Sequence, residues 1–113
     1  MFRGIGRMVV GVSDQDEALA FYRDVLGFVV LHDSDEEGFR YLHMGVPGQP
    51  GTGIWLMPGA AEHDRPLLVL FTEDLAGVVS ALERHGVERW AQTATSLHFR
   101  DCCGNVIVAA VES

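Results

Sequence analysis

Short β-rich apolar runs and one helical periodicity alternate along this chain, and the whole pattern occurs twice. Met8-Val9-Val10-Gly11-Val12 is a β-branched run bounded by glycines and by Ser13-Asp14, which reads as a buried strand ending at a helix cap. Asp14 and Glu17 have capping-box spacing, and Ala18, Tyr22, Val25 and Leu26 recur at helical intervals. Gly27 suits the left-handed residue after a last turn, so the spacing predicts a helix from about Gln15 to Leu26. Strands follow at Phe28 to His32, Phe39 to Met44 and Gly53 to Met57, separated by an acidic turn, Asp33 to Gly38, and by the turn-rich Val46 to Gly51.

The pattern then restarts. Pro58 to Pro66 has the composition of a linker or hinge. Leu67 to Phe71 reads as a strand and Thr72 to Asp74 as a cap. Leu75, Val78, Val79 and Leu82 mark a second helix ending near Gly86. Val87 to Ala91, Leu97 to Arg100 and Val106 to Val111 supply three more strands, the last two joined by a turn over Asp101 to Asn105. The fold class is therefore α+β: two tandem βαβββ modules, about residues 5–57 and 67–112, joined by residues 58–66 into one domain. Neither module is expected to close a core alone. A helix on one sheet face leaves the other free to curve around a ligand, which predicts a cleft in a curved antiparallel or mixed sheet.

Composition narrows the function classes. The 113 residues carry 8 Lys+Arg against 16 Asp+Glu, a net charge of -8, with 48% hydrophobic residues, as expected of a folded globular chain. Eight scattered cations in an acidic chain do not make a phosphate-binding surface, so nucleic acid is not an expected partner. Apolar runs such as Leu67 to Phe71 fall far short of the ~20 residues that span a bilayer, and the N-terminus lacks the apolar core of a secretory signal. No membrane association is expected. The two cysteines are adjacent and close no long loop, which points to a reducing, cytoplasmic location.

The two-fold repeat, the segment Phe21-Tyr22-Arg23-Asp24-Val25-Leu26-Gly27-Phe28 after Val12-Ser13-Asp14, and the late Phe99-Arg100-Asp101-Cys102-Cys103-Gly104-Asn105 together resemble the vicinal oxygen chelate superfamily. That group contains glyoxalases, bleomycin-resistance proteins and ring-cleaving dioxygenases. Its metal enzymes place His, Gln or Glu at the start of each module's first strand and at an inward position of its last. Here the resemblance puts Arg7, Leu67, Trp55 and Val108 at those positions, and none suits a divalent cation. No cofactor is expected. The reading that follows is a bleomycin-resistance-like protein binding a small aromatic or cationic molecule in the cleft of a homodimer, whether or not any catalysis remains. The alternative is a metal-dependent glyoxalase-like lyase or isomerase, or an extradiol-dioxygenase-like enzyme, with a displaced site.

The candidate ligand-binding residues are Arg7, Tyr41, His43, Trp55, His98 and Arg100; no catalytic residue is identified. Arg7 at an inward position needs an acceptor: a carboxylate, a carbonyl or the ligand. Trp55 reads equally as a stacking surface for a flat or cationic ligand and as plain core. His43 shares its strand phase with Tyr41, and His98 lies at a position that faces the cavity in relatives. His63 falls in the polar linker and His85 at the end of the second helix, where a partly positive ring suits the dipole. Cys102 and Cys103 read as turn residues, since adjacent side chains converge poorly for a disulfide or a soft metal. The acidic run Asp33 to Glu37 reads as a solvated turn that could steer a cation.

Overall fold

The structure, a computed structural model, describes residues 1–112. The chain divides into two units, Met1–Ala60 and Ala61 onward. In the first, β1 (Arg7–Val12), α1 (Gln15–Asp24), β2 (Val29–Glu36), β3 (Phe39–Gly45) and β4 (Gly53–Pro58) follow one another. The strands form one mixed sheet in the order β1-β4-β3-β2, with β1 parallel to β4 and the other neighbours antiparallel. The second unit repeats this with β5 (Pro66–Thr72), α2 (Leu75–Arg84), β6 (Arg89–Trp90), β7 (Ser96–Arg100) and β8 (Val106–Val111), in the order β5-β8-β7-β6. Two four-stranded mixed sheets, each with one helix, make this an α+β fold.

Each helix starts the same way for the same reason. The Asp14 carboxylate accepts from the Glu17 N–H at 3.0 Å and the Asp74 carboxylate from the Gly77 N–H at 2.9 Å, satisfying donors that the helix itself leaves open. The ends differ by one residue. α2 closes with Val87 N–H on the Leu82 carbonyl and Gly86 N–H on Glu83, the paired bonds of a glycine-terminated helix. α1 closes one residue wider, with Phe28 N–H on Tyr22 and Gly27 N–H on Arg23, so its regular turns stop at Asp24 rather than Leu26. Gly27 and Gly86 take φ of 74° and 69°, the conformation expected of them.

The first core lies between α1 and one face of its sheet. Val10, Val12, Leu42, Met44 and Leu56 are fully buried there with Ala18 and Tyr22 of the helix. Tyr22 packs its ring 5.6 Å from Phe21 and 5.4 Å from Phe28. Gln15 ties the helix to the sheet by donating to the carbonyls of Arg40 at 3.0 Å and Leu56 at 2.9 Å. In the second unit Leu82, Leu97, Phe99, Ile107 and Ala109 form the corresponding layer.

Two expectations about strands are corrected. The acidic run is mostly strand: β2 continues to Glu36, and only Glu37 and Gly38, at φ of 55° and 79°, make the turn. Positive φ at both central residues gives the turn the twist of the flanking strands. Arg40 on β3 then grips Asp33 across the hairpin at 2.9 Å and Asp16 of α1 at 2.6 Å, which offsets the charge along the strand. That pairing holds the Asp33 carboxyl below its ordinary pKa. β6 is shorter than expected because Ala91, at φ of 52°, turns the chain out of the sheet after Trp90.

Candidate functional site

Strand alternation assigns the sheet face opposite each helix. In the first unit that face carries Arg7, Val9 and Gly11 from β1, Trp55 and Met57 from β4, and Phe39, Tyr41 and His43 from β3. Val9, Trp55, His43 and His32 stand abreast across the four strands. His32 joins this row because the register shifts between Val30 and His32. That irregularity also leaves Leu31 against Gly45 and Gly53, where a Cβ at either glycine would meet its Cδ1 at 2.8 Å.

The result is a continuous aromatic surface. Tyr41 stacks on Trp55 with centroids 5.7 Å apart, Phe39 lies 4.8 Å from Tyr41, and His43 lies 5.4 Å from Trp55 and 5.6 Å from His32. Four of the six expected residues, Arg7, Tyr41, His43 and Trp55, are thus brought together on one sheet. Among the described residues Arg7 meets no carboxylate: its Nε–H donates to His43 Nδ1 at 2.9 Å and its Nη1 to the Gly6 carbonyl at 2.8 Å.

That bond determines the state of His43. With Nδ1 accepting, the neutral ring carries its proton on Nε2. Burial first, then the charges of Arg7 and His32, hold the imidazole below its ordinary pKa and so favour this neutral form. His43 Nε2 and Trp55 Nε1 are both buried with no partner among the described residues. Two N–H donors therefore lie in the aromatic surface without an acceptor, a situation that typically costs ~1–3 kcal/mol per group.

The depressed pKa has a thermodynamic consequence. The unfolded chain protonates His43 near the ordinary imidazole value, about 6.5, whereas the folded chain resists protonation until lower pH. Stability is therefore at its plateau above that value and declines as pH falls through it. The thermal midpoint is expected to drop between pH 7.5 and 5.5, and His43→Gln to remove part of that drop. Equal drops in the two proteins would assign the pH dependence to other groups.

His98 and Arg100 belong to the second unit. There Val69, Val108, His98 and Trp90 form the row that matches Val9, Trp55, His43 and His32. Trp90 lies 5.7 Å from His98, and the Arg100 guanidinium sits 5.2 Å from the Trp90 ring centre. His98 Nδ1 is also buried without a partner among the described residues. Sequence reasoning placed Trp90 in a strand but gave it no role; its pairing with His98 is a matter of register. Arg100 additionally donates to the carbonyls of His63 and Gly104, each at 3.0 Å.

On the first unit's aromatic surface the side chains of Arg7 and Trp55 offer no metal-coordinating lone pair, and Nδ1 of neutral His43 accepts from Arg7. What the surface offers is a stacking face with N–H donors set into it.

Two four-stranded sheets in a doubled βαβββ order, each with a polar-aromatic face opposite its helix, define the glyoxalase/bleomycin resistance fold. The chain belongs to the glyoxalase/bleomycin resistance protein/dioxygenase superfamily, whose family model matches residues 4–108. Among relatives, the uncharacterized protein YurT of Bacillus subtilis (strain 168) is 30% identical, over 85% of this chain and 89% of that protein. Among solved structures, TnmS3, an antibiotic binding protein from Streptomyces sp. CB03234, is 28% identical with a TM-score of 0.83, covering 99% of this chain and 98% of that one. A superfamily member from Sphaerobacter thermophilus DSM 20745 is 25% identical with a TM-score of 0.84, covering 99% of both chains. Among the described residues, no helix is long and apolar enough to cross a membrane.

Proposed function

We propose that this chain is a metal-independent binding protein of the bleomycin-resistance type, and that its ligand is a flat aromatic molecule bearing hydrogen-bond-accepting oxygens. The observation that carries the reading is the pair of buried, unpartnered N–H groups of Trp55 and His43 beside the Tyr41–Trp55 stack. A carbonyl or phenolic oxygen placed against them supplies the missing acceptor, while the ring system covers aromatic surface. The likeness to an antibiotic binding protein supports the same reading. His98, Trp90 and Arg100 offer a second surface of similar chemistry in the other unit.

Net charge and local chemistry pull in different directions here. The charge of -8 favours a cation at long range, but such attraction is screened beyond ~8–10 Å at physiological salt. At contact distance Arg7, His43 and Trp55 present only donors or positive charge, so the bound molecule is neutral or anionic at that edge. The working form we propose is a cytoplasmic homodimer in which both units of each chain form one domain; the two cysteines are adjacent in sequence and close no long loop, which suits a reducing compartment.

The test is binding of a neutral hydroxynaphthoquinone and of a cationic acridine dye of similar size, followed by tryptophan quenching on untagged protein that sediments as two chains. The quinone is expected to bind more tightly than the dye. Trp55→Phe, which keeps a stacking ring but deletes the N–H, should weaken quinone binding by about tenfold, and Trp55→Ala by more. Preference for the cation, or quinone affinity unchanged in Trp55→Phe, would remove the proposed ligand chemistry.

A further inference from the structure

We propose that the β7–β8 turn is a thiophilic metal site, in which the Cys102 and Cys103 thiolates chelate a single soft d10 cation such as zinc or cadmium with the Asp101 carboxylate alongside. The proposal does not depend on the aromatic surface or its ligand. Among the described residues, Asp101, Cys102 and Cys103 form a group whose ligand atoms all lie within 4.8 Å of one another. Consecutive side chains in a strand point to opposite faces; here the turn brings the two sulfurs to 3.4 Å, against the expectation that they would diverge.

That separation suits a chelated ion better than a disulfide. A tetrahedral zinc ion with two sulfurs at ~2.3 Å needs them about 3.8 Å apart, so the pair has to open by only a few tenths of an ångström. A disulfide needs the opposite movement, down to ~2.05 Å, across neighbouring Cα atoms that a trans peptide holds about 3.8 Å apart, closer than disulfides usually accept. Each sulfur gives up its proton to solvent as its bond to the metal forms, with no change of oxidation state.

The surrounding structure holds this geometry in place. Asp101 Oδ1 accepts from the backbone N–H groups of Cys103 and Asn105, each at 2.9 Å, which curls the chain so that both sulfurs lie together. Arg100 binds the carbonyls of His63 and Gly104, and the His63 ring lies against Gly104 where any Cβ would collide with it. Asn105 Oδ1 accepts from Glu62 N–H at 2.7 Å, and Val106 N–H donates to the Glu62 carbonyl at 3.1 Å. The turn is therefore clamped from the chain segment at 62–63, and both thiols remain half-buried rather than sealed in the core. Little ordering is left for the ion to impose.

The experiment titrates untagged, fully reduced protein with cadmium and then zinc, following thiolate-to-cadmium charge-transfer absorbance, proton release and competition with a chromophoric chelator. About one ion per chain and about two protons released per ion are expected. Cys102→Ser and Cys103→Ser should each weaken binding by at least about 100-fold, and carbamidomethylation of the wild-type thiols should abolish the charge-transfer band. Three outcomes would overturn the proposal: no band, a band that survives alkylation or either substitution, or a stoichiometry of one ion per two chains. The last would mean that thiols of separate chains share the metal.

Discussion

Asn105→Asp is expected to lose roughly 3–5 kcal/mol of folding stability near pH 7, measured as a shift of the urea midpoint at unchanged slope. Asn105 is fully buried, and its Nδ2 donates to Asp101 Oδ2 at 3.0 Å. An Asp at this position keeps an acceptor for Glu62 N–H but puts its other oxygen against the Asp101 carboxylate. Two carboxylates at that separation cannot both be ionised, so one has to take up a proton that it would shed in the unfolded chain. The folded-state pKa of the pair is raised, and the penalty shrinks as pH falls toward it. The deficit relative to wild type should therefore be smaller at pH 5 than at pH 7. A deficit under about 1 kcal/mol, or one that grows on acidification, would show that the Asp101–Asn105 contact does not hold the turn in the way described. Because small domains are typically stable by only ~5–15 kcal/mol, the variant sits close to the unfolding threshold. Loss of the thiol geometry should follow, since Asp101 also sets the backbone of Cys103.

Gly11→Ala has the second-largest expected effect, about 3 kcal/mol of destabilisation. The chain leaving β4 crosses directly over β1 here: Gly59 N–H donates to the Val12 carbonyl at 3.1 Å, and a methyl at Gly11 would overlap the Ala60 carbonyl oxygen and lie 2.9 Å from its carbon. Those are backbone atoms, so no side-chain rotation relieves the overlap. Gly11 shares its sheet face with Arg7 and Val9, and displacing the strand there also moves the anchor of the Arg7–His43 bond. Ala60→Gly placed on top of Gly11→Ala should give no rescue, because the obstruction is a carbonyl and not the Ala60 side chain. Full rescue, or an unchanged midpoint in Gly11→Ala, would count against this close crossing.

The elements were legible where local chemistry decides them. Asp14 and Asp74 cap the helices that their spacing announced, Gly27 and Gly86 end them, and the β8 boundaries are those of the apolar run Val106 to Val111. The acidic run is strand rather than turn because its charge has a partner on the next strand. Asp33 lies in a strand because Arg40, seven residues away, arrives opposite it across the hairpin, and nothing local to Asp33 announces this. The end of α1 slipped for a related reason, since Val25 and Leu26 keep helical spacing while the closing bonds are made one residue wide.

The candidate site divides along the same line. The chain's own alternation sets Tyr41 and His43 in phase on β3, and the superfamily is legible in the twofold repeat, the Phe21–Phe28 segment and the Phe99–Asn105 turn, whereas Trp55 and Val108 are put at matching positions by the resemblance. Which atoms meet is decided by register between strands distant in sequence. That is how Arg7 comes to donate to a ring 36 residues away, how Trp90 comes to lie beside His98, and how two indole and imidazole N–H groups are left buried without acceptors. Likewise the sequence says that Cys102 and Cys103 occupy a turn, but only the bonds from Asp101 and the clamp from residues 62–63 bring their sulfurs onto one side. Periodicity and capping act within a few residues and can be read from the chain, whereas hydrogen-bond partners and burial depend on which distant segments are brought into contact.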